Sequence, residues 1–82
     1  VEKNKHNMLS LKTGDRARVI GYSQGDLRYR KRLLSMGLTR GTEFVLEKVA
    51  PMGDPMEIKL RGFYLSLRRQ EADFLQIEKV DP

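Results

Sequence analysis

The chain has one histidine and no cysteine. Those two counts remove most reactive and metal-binding chemistry at the start. Without cysteine there is no disulfide scaffold, thiolate zinc site, iron–sulfur cluster or cysteine nucleophile. His6 stands in the polar opening segment 1–7 (VEKNKHN), and a lone imidazole there is read as solvent-facing. A metal site would need carboxylates alone, a donor set that suits hard cations better than transition metals. Asp54 and Glu57 are close in sequence, but the expected roles are a turn-shaping residue and a solvated strand residue. Ser10, Ser23, Ser35 and Ser66 have no base to activate them. Gly21-Tyr22-Ser23-Gln24-Gly25 matches G-x-S-x-G superficially. That motif needs a strand-to-helix turn in a large α/β sheet and a catalytic histidine, and neither fits this chain. No glycine loop is followed by a phosphate-binding lysine. No catalytic residue, cofactor or metal ligand is therefore assigned, and no small-molecule substrate is expected.

What remains is charge. Sixteen Lys and Arg against eleven Asp and Glu give a formal net charge of +5, which favours encounter with acidic partners. Arg28, Arg30, Lys31 and Arg32 form one cluster; Arg61, Arg68 and Arg69 form a second, and strand pairing is expected to bring the two near each other. A solvated polar face is the preferred reading for Arg28, Lys31 and Arg32. Arg30 falls within the Leu27, Leu33, Leu34 sector of the helical wheel, so it must snorkel outward or find a carboxylate or carbonyl partner. Tyr22, Tyr29, Phe44, Phe63, Tyr64 and Phe74 are too dispersed for a base-stacking platform, which disfavours nucleic acid as partner. Phe63, placed at a hairpin tip, and Pro51-Met52, placed in a loop, are the exposed apolar candidates.

The elements that must position these residues fit one small domain. With 82 residues, the chain buries about 60–65% of its unfolded surface, too little for an interdomain cleft. Hydrophobic residues at 39% and charged residues at 33% indicate a globular chain. No run approaches the ~20 apolar residues of a membrane span, and the polar start lacks the apolar core of a signal peptide. These features predict a cytoplasmic protein without direct membrane insertion, with a flexible tail at 1–7 and a single domain at 8–82.

Arg16–Tyr22 alternates, with Ala17, Val19 and Gly21 on one face, and reads as a strand. Leu27–Met36 has helical spacing through Tyr29, Leu33 and Met36, with Leu27 and Leu34 flanking the same side. Asp26 is its N-cap and Gly37-Leu38 its stop. Further strands are expected at Thr42–Val49, Met56–Leu60, Tyr64–Leu67 and Phe74–Val80. A two-residue hairpin turn is placed at Gly62-Phe63, with glycine first. Arg68–Asp73 is read as one helical turn at most. Five short strands and one inserted helix predict an all-β fold, an SH3-like β-barrel closed on itself, with an OB-type barrel as the alternative.

Three segments also carry a resemblance. R-x-x-L-L-x-M-G-L at 30–38, A-P-M-G-D-P at 50–55 and R-G-F-Y-L-S-L-R-R at 61–69, in that order and spacing, resemble the FeoA family over about residues 9–79. Arg40 stands before Gly41 where members often carry proline, a departure expected to affect local stiffness only. The resemblance implies an SH3-like barrel and a small cytoplasmic, non-enzymatic accessory protein of bacterial ferrous iron uptake. Its implied partner is FeoB, a membrane transporter with a cytoplasmic GTP-binding domain. The same domain type occurs at the C-terminus of iron-dependent repressors resembling DtxR, beside a DNA reader for which this chain has no room. The expected contact residues are Pro51, Met52, Phe63, Arg61 and Arg28. Nucleic-acid binding through the arginine clusters and modulation of the FeoB GTPase by Arg61 or Arg28 are the alternatives.

Overall fold

The computed structural model describes residues 8–80. The segment expected to be a tail, with His6, lies outside the described residues. Five strands form one antiparallel sheet: β1 (Arg16–Tyr22), β2 (Glu43–Val49), β3 (Met56–Leu60), β4 (Phe63–Leu67) and β5 (Leu75–Val80). Their order is β4-β3-β2-β1-β5, giving an SH3-like fold. Helix α1 (Leu27–Ser35) follows β1, and α2 (Arg69–Phe74) joins β4 to β5.

Period-two burial makes the sheet. Ala17 and Val19 of β1, Phe44 and Leu46 of β2, and Ile58 of β3 point inward and are buried; the intervening positions face outward. On the outer face Arg18 stands opposite Glu43 on one side and Glu78 on the other. Its guanidinium pairs with both carboxylates, which raises the Arg18 pKa, Glu43 hydrogen bonding being the largest cause. The pairing supports the register of three strands at once.

Helix α1 begins and ends where its flanking residues dictate. The Asp26 carboxylate accepts the Arg28 amide at 2.9 Å, satisfying one otherwise unpaired donor of the first turn. At the other end Gly37 takes φ +92°. The Leu38 amide then donates to the Leu33 carbonyl and the Gly37 amide to the Leu34 carbonyl, each at 3.0 Å. This paired closure needs a left-handed residue. It turns Leu38 into the core, where it is fully buried beside Leu33.

Several expectations are corrected. The sheet is not closed: β4 and β5 do not pair. The segment between them winds into α2, which packs with a 3₁₀ turn at Met8–Ser10 against β5. Helix α2 is longer than one turn and takes in Phe74, so β5 starts at Leu75. Its length follows from Glu71, whose buried carboxylate accepts the Arg68 amide at 2.9 Å, and from the burial of Ala72 and Phe74. The hairpin turn is Arg61-Gly62, not Gly62-Phe63. Leu60 faces Phe63, and both turn residues have positive φ, +25° and +90°, the conformation that matches the right-handed twist of the flanking strands. Leu27 and Leu34 are exposed, because only the Leu33 side of α1 meets the core. Arg30 meets the expectation by snorkelling outward: it is exposed, and its guanidinium lies over the Tyr22 ring, 5.4 Å from the centroid, a cation–π contact.

Candidate docking surface

Arg61, in the Arg61-Gly62 turn, and Phe63, the first residue of β4, are two of the five expected contact residues and stand together. Phe63, 47% exposed, opens β4 and lines a cavity of about 320 Å³ with Gly37, Thr39, Thr42, Leu60 and Arg61. The threonine wall is internally satisfied: the two hydroxyls are 2.9 Å apart and Thr42 Oγ1 donates to the Gly37 carbonyl at 3.2 Å. The exposed apolar surface of this cavity is therefore largely that of Phe63, since Leu60 beneath it is buried. A second hollow of about 490 Å³ lies beside Arg16, Glu43, Lys59 and Arg61. Arg61 borders both, so one cation edges an apolar hollow and a charged one.

Pro51 and Met52 lie elsewhere. They sit in the loop between β2 and β3, at the opposite end of β3 from Arg61. Five residues at about 3.4 Å each separate the two ends by roughly 17 Å. The loop is held by the Gly53 amide donating to the Ala50 carbonyl at 2.7 Å and the Ala50 amide to the Pro55 carbonyl at 3.0 Å; the Asp54–Pro55 peptide is cis. The Asp54 side chain reaches out of the loop to the start of α2, accepting the Arg69 amide at 3.2 Å and pairing with Arg68 at 3.6 Å. Met52, 86% exposed, projects from this tied-down loop.

Arg28 belongs to neither place. Its guanidinium grips the Asp26 carboxylate at 2.7 and 3.1 Å, and this hydrogen bonding, with the Arg28 amide, holds the Asp26 carboxyl below its ordinary value. The expected convergence of the two basic clusters is only partial. Arg32 reaches α2 by pairing with Glu71, and the Tyr29 hydroxyl meets Gln70 Oε1 at 3.1 Å. Arg68 and Arg69 therefore lie near α1, while Arg61 stands at the far end of β4. The aromatic rings divide likewise. Tyr29 and Tyr22 pack on Phe74, with centroids 5.9 and 6.4 Å away. The Tyr22 hydroxyl donates to the Leu38 carbonyl at 2.6 Å, and burial pushes its pKa up against the opposing charges of Arg30 and Arg40.

Sequence reasoning missed Tyr64, 54% exposed, with the Lys59 ammonium 5.9 Å from its centroid. Placing the turn one residue late hid it, since Phe63 then took the tip and Tyr64 became an ordinary strand start. Phe63 and Tyr64 are consecutive strand residues and face opposite sides of the sheet. Among the described residues no group of three or more His, Asp or Glu is arranged to hold a metal ion, and no helix is long and apolar enough to cross a membrane.

Comparison with known proteins agrees with this architecture. Residues 6–79 match the FeoA domain. A Porphyromonas gingivalis protein described as an Fe(2+) transport protein A/Fe(2+) transporter FeoB fusion is 36% identical over 70 residues, 85% of this chain. The match spans only 8% of that relative's own length. The solved structure of a FeoA-like protein from Clostridium acetobutylicum is 34% identical, with a TM-score of 0.86 over 98% of this chain and 92% of that one. A manganese-dependent transcriptional repressor shares the fold alone: its TM-score is 0.85 at 13% identity, covering 93% of this chain and 37% of that one.

Proposed function

The chain belongs to the FeoA family, and from that premise we propose that it is a non-enzymatic docking module of ferrous iron uptake that binds FeoB on the cytoplasmic side of the membrane. The observation that carries this reading is the Porphyromonas gingivalis relative, whose name joins transport protein A and FeoB in one chain. Domains fused in one organism act at high effective concentration on each other, and separate chains of the same type must find each other by affinity. The contact candidates are Phe63 and Arg61 at the β3–β4 turn, Pro51 and Met52 at the other end of β3, and Arg28 on α1. Of these, the turn pair borders a hollow with apolar walls, the setting in which an interface residue carries most energy. Arg28 is already engaged by Asp26 and is the weakest of the five.

The test is a titration of isotope-labelled protein with the soluble GTP-binding domain of FeoB from the same genome, following backbone amide shifts at physiological salt. Shifts localised at 61–64, at 50–55 or at both support docking and identify the face. An unperturbed spectrum at saturating FeoB domain rejects docking on that domain. GTP hydrolysis measured in the same mixture separates simple docking, which leaves the rate unchanged, from an arginine supplied to the GTPase, which raises it.

A further inference from the structure

The open edge of the sheet offers a more specific inference. In the β3–β4 hairpin, Leu60 faces Phe63, Ile58 faces Leu65 and Met56 faces Leu67. Opposed residues of an antiparallel pair alternate between hydrogen-bonded and non-bonded, and the pair that closes a two-residue turn is bonded. Phe63, Leu65 and Leu67 therefore spend their backbone groups on β3. The N–H and C=O groups of Tyr64 and Ser66 point away from it, along the free side of β4. Among the described residues they have no backbone partner, and both residues are exposed. The opposite edge, β5, has the 3₁₀ turn and α2 packed near it. Edges of this kind are ordinarily blocked by proline, a bulge or an inward charge. The run Phe63-Tyr64-Leu65-Ser66-Leu67 has none of these.

Charge decides what fits there. Arg61 precedes β4 and Arg68 and Arg69 follow it, with Lys59 beside Tyr64. Arg61 and Arg69 have no ion-pair partner among the described residues, and Arg68 shares Asp54. The carboxylates beside the strand are Glu57, opposite Ser66, and Asp54 at the far end, where it pairs with Arg68 and accepts the Arg69 amide but leaves the Arg69 guanidinium without an ion-pair partner among the described residues. A complementary strand thus has a neutral, alternating centre and carboxylates at both ends. A second copy of this chain is a poor occupant. The antiparallel register that pairs Tyr64 with Ser66 of the other copy, and so uses all four outward groups, also brings the Arg61 end of each copy to the Arg68–Arg69 end of the other, and like charges brought together are destabilising.

We infer that the free edge of β4 is a strand-addition site that receives an extended segment of a partner protein with acidic residues flanking an apolar, alternating centre. The inference rests on reading the domain as a docking module and specifies the backbone chemistry of the docked segment. Main-chain hydrogen bonds to Tyr64 and Ser66 supply affinity, the cations at either end supply polarity, and Phe63 with its hollow receives a side chain from the added strand.

The probe is a capped synthetic peptide, Glu-Glu-Val-Thr-Val-Thr-Val-Glu-Glu, titrated into the labelled protein while amide hydrogen exchange is read residue by residue. Strand addition slows exchange at Tyr64 and Ser66 upon binding. N-methylation of alternate central peptide amides removes binding, and replacing the four glutamates by lysine weakens it by about tenfold or more. Ser66→Pro deletes one outward N–H at a position where an edge strand tolerates proline, so binding is lost while the circular dichroism spectrum is retained. If that variant does not fold, the N-methylated peptide carries the test alone. Peptide binding that leaves the Tyr64 and Ser66 amides exchanging freely overturns the inference, as does equal binding of the N-methylated peptide or no binding at all. Protection of the same two amides by raising protein concentration without peptide overturns the choice of occupant in favour of a second copy. Failure of the peptide alongside localised shifts with the FeoB domain rejects strand addition and leaves docking standing; failure of both rejects strand addition and docking on the GTP-binding domain together.

Discussion

Leu60 lies directly opposite Phe63 across the β3–β4 ladder, so Arg61 and Gly62 alone reverse the chain. Both have positive φ. Glycine adopts that region without cost, whereas arginine places its Cβ against the following carbonyl. Arg61→Asn supplies a residue that tolerates the conformation and forms Asn-Gly, the favoured pair for this turn. The expected gain is about 1 kcal/mol, a Tm rise of ~4–8 °C for a domain of this size, read by calorimetry. An unchanged or lower Tm would mean that Arg61 makes a compensating interaction. If Arg61 also docks, the stabilised variant binds its partner more weakly, since strain at a surface turn is retained where function uses it.

The closure of α1 separates backbone strain from packing. A Cβ at Gly37 meets nothing within 4 Å, so Gly37→Ala suffers only the left-handed penalty, about 1–2 kcal/mol. Leu38 is fully buried, and Leu38→Ala loses transfer energy and opens a cavity, about 2–5 kcal/mol. Urea unfolding should therefore rank Leu38→Ala as clearly worse than Gly37→Ala. The reverse order would show that the glycine conformation, rather than the leucine it directs, holds this end of the helix.

The parts of the fold legible in the sequence are those where one residue type decides the local geometry. The alternation in β1 and β3 predicts their bounds, and Asp26 and Gly37-Leu38 predict the two ends of α1. The hairpin turn is different. Turns at 61–62 and at 62–63 both leave Ile58, Leu60, Leu65 and Leu67 on the same face, so hydrophobic pattern cannot choose between them, and the twist preference of the turn decides. Helix α2 is masked by Glu71, a charged residue that the structure buries because it caps its own helix. A helical wheel groups Leu27 and Leu34 with the apolar side of α1, but it does not show how far the sheet extends beneath it. The docking candidates were legible as exposed apolar residues and not as one surface, because the distance between Met52 and Phe63 depends on the length and direction of β3.

Glu71 joins the cap of α2 to α1, and its two roles can be separated. Its side chain is 8% exposed, while that of its partner Arg32 is 65% exposed. Solvent screens the ion pair from the arginine side, leaving it worth at most about 1 kcal/mol. Loss of the hydrogen bond to the Arg68 amide costs more, about 1–3 kcal/mol, because a part-buried donor is left without its partner. Glu71→Gln keeps an acceptor oxygen and should cost less than Glu71→Ala by chemical denaturation. Equal losses would assign the effect to charge.

Acid sensitivity follows from two surface carboxylates. Asp15 is held below the usual aspartate value of 3.8 first by the Lys12 amide and then by Lys79, and Asp26 first by the Arg28 side chain and then by the Arg28 amide. A folded-state pKa below the unfolded one means that the unfolded chain binds protons more readily. Their contribution is thus complete above the unfolded value, near 4, and is lost as pH falls through the lower folded values. Thermal melts should show a flat Tm from neutral pH to about 5 and a decline below 4. Asp26→Asn, which still caps the helix, should shallow that decline. An identical acid limb in the variant would place the effect on other groups.

Phe63 and Met52 make unequal demands on a partner. Met52 is the more exposed and projects from a loop, whereas Phe63 is half-exposed at the mouth of a cavity of about 320 Å³. Interface energy concentrates at anchors that fill or border pockets and are fully desolvated on binding. Against the FeoB GTP-binding domain, Phe63→Ala should therefore raise Kd by about 30-fold, equivalent to ~2 kcal/mol. Met52→Ala should change it by less than about threefold, a difference of under ~0.7 kcal/mol. Isothermal calorimetry on the two variants, with folding verified by circular dichroism, measures both. The opposite ranking would move the docking face to the Ala50–Pro55 loop and the adjoining start of α2. Equal and additive losses would require a partner that spans the whole length of β3.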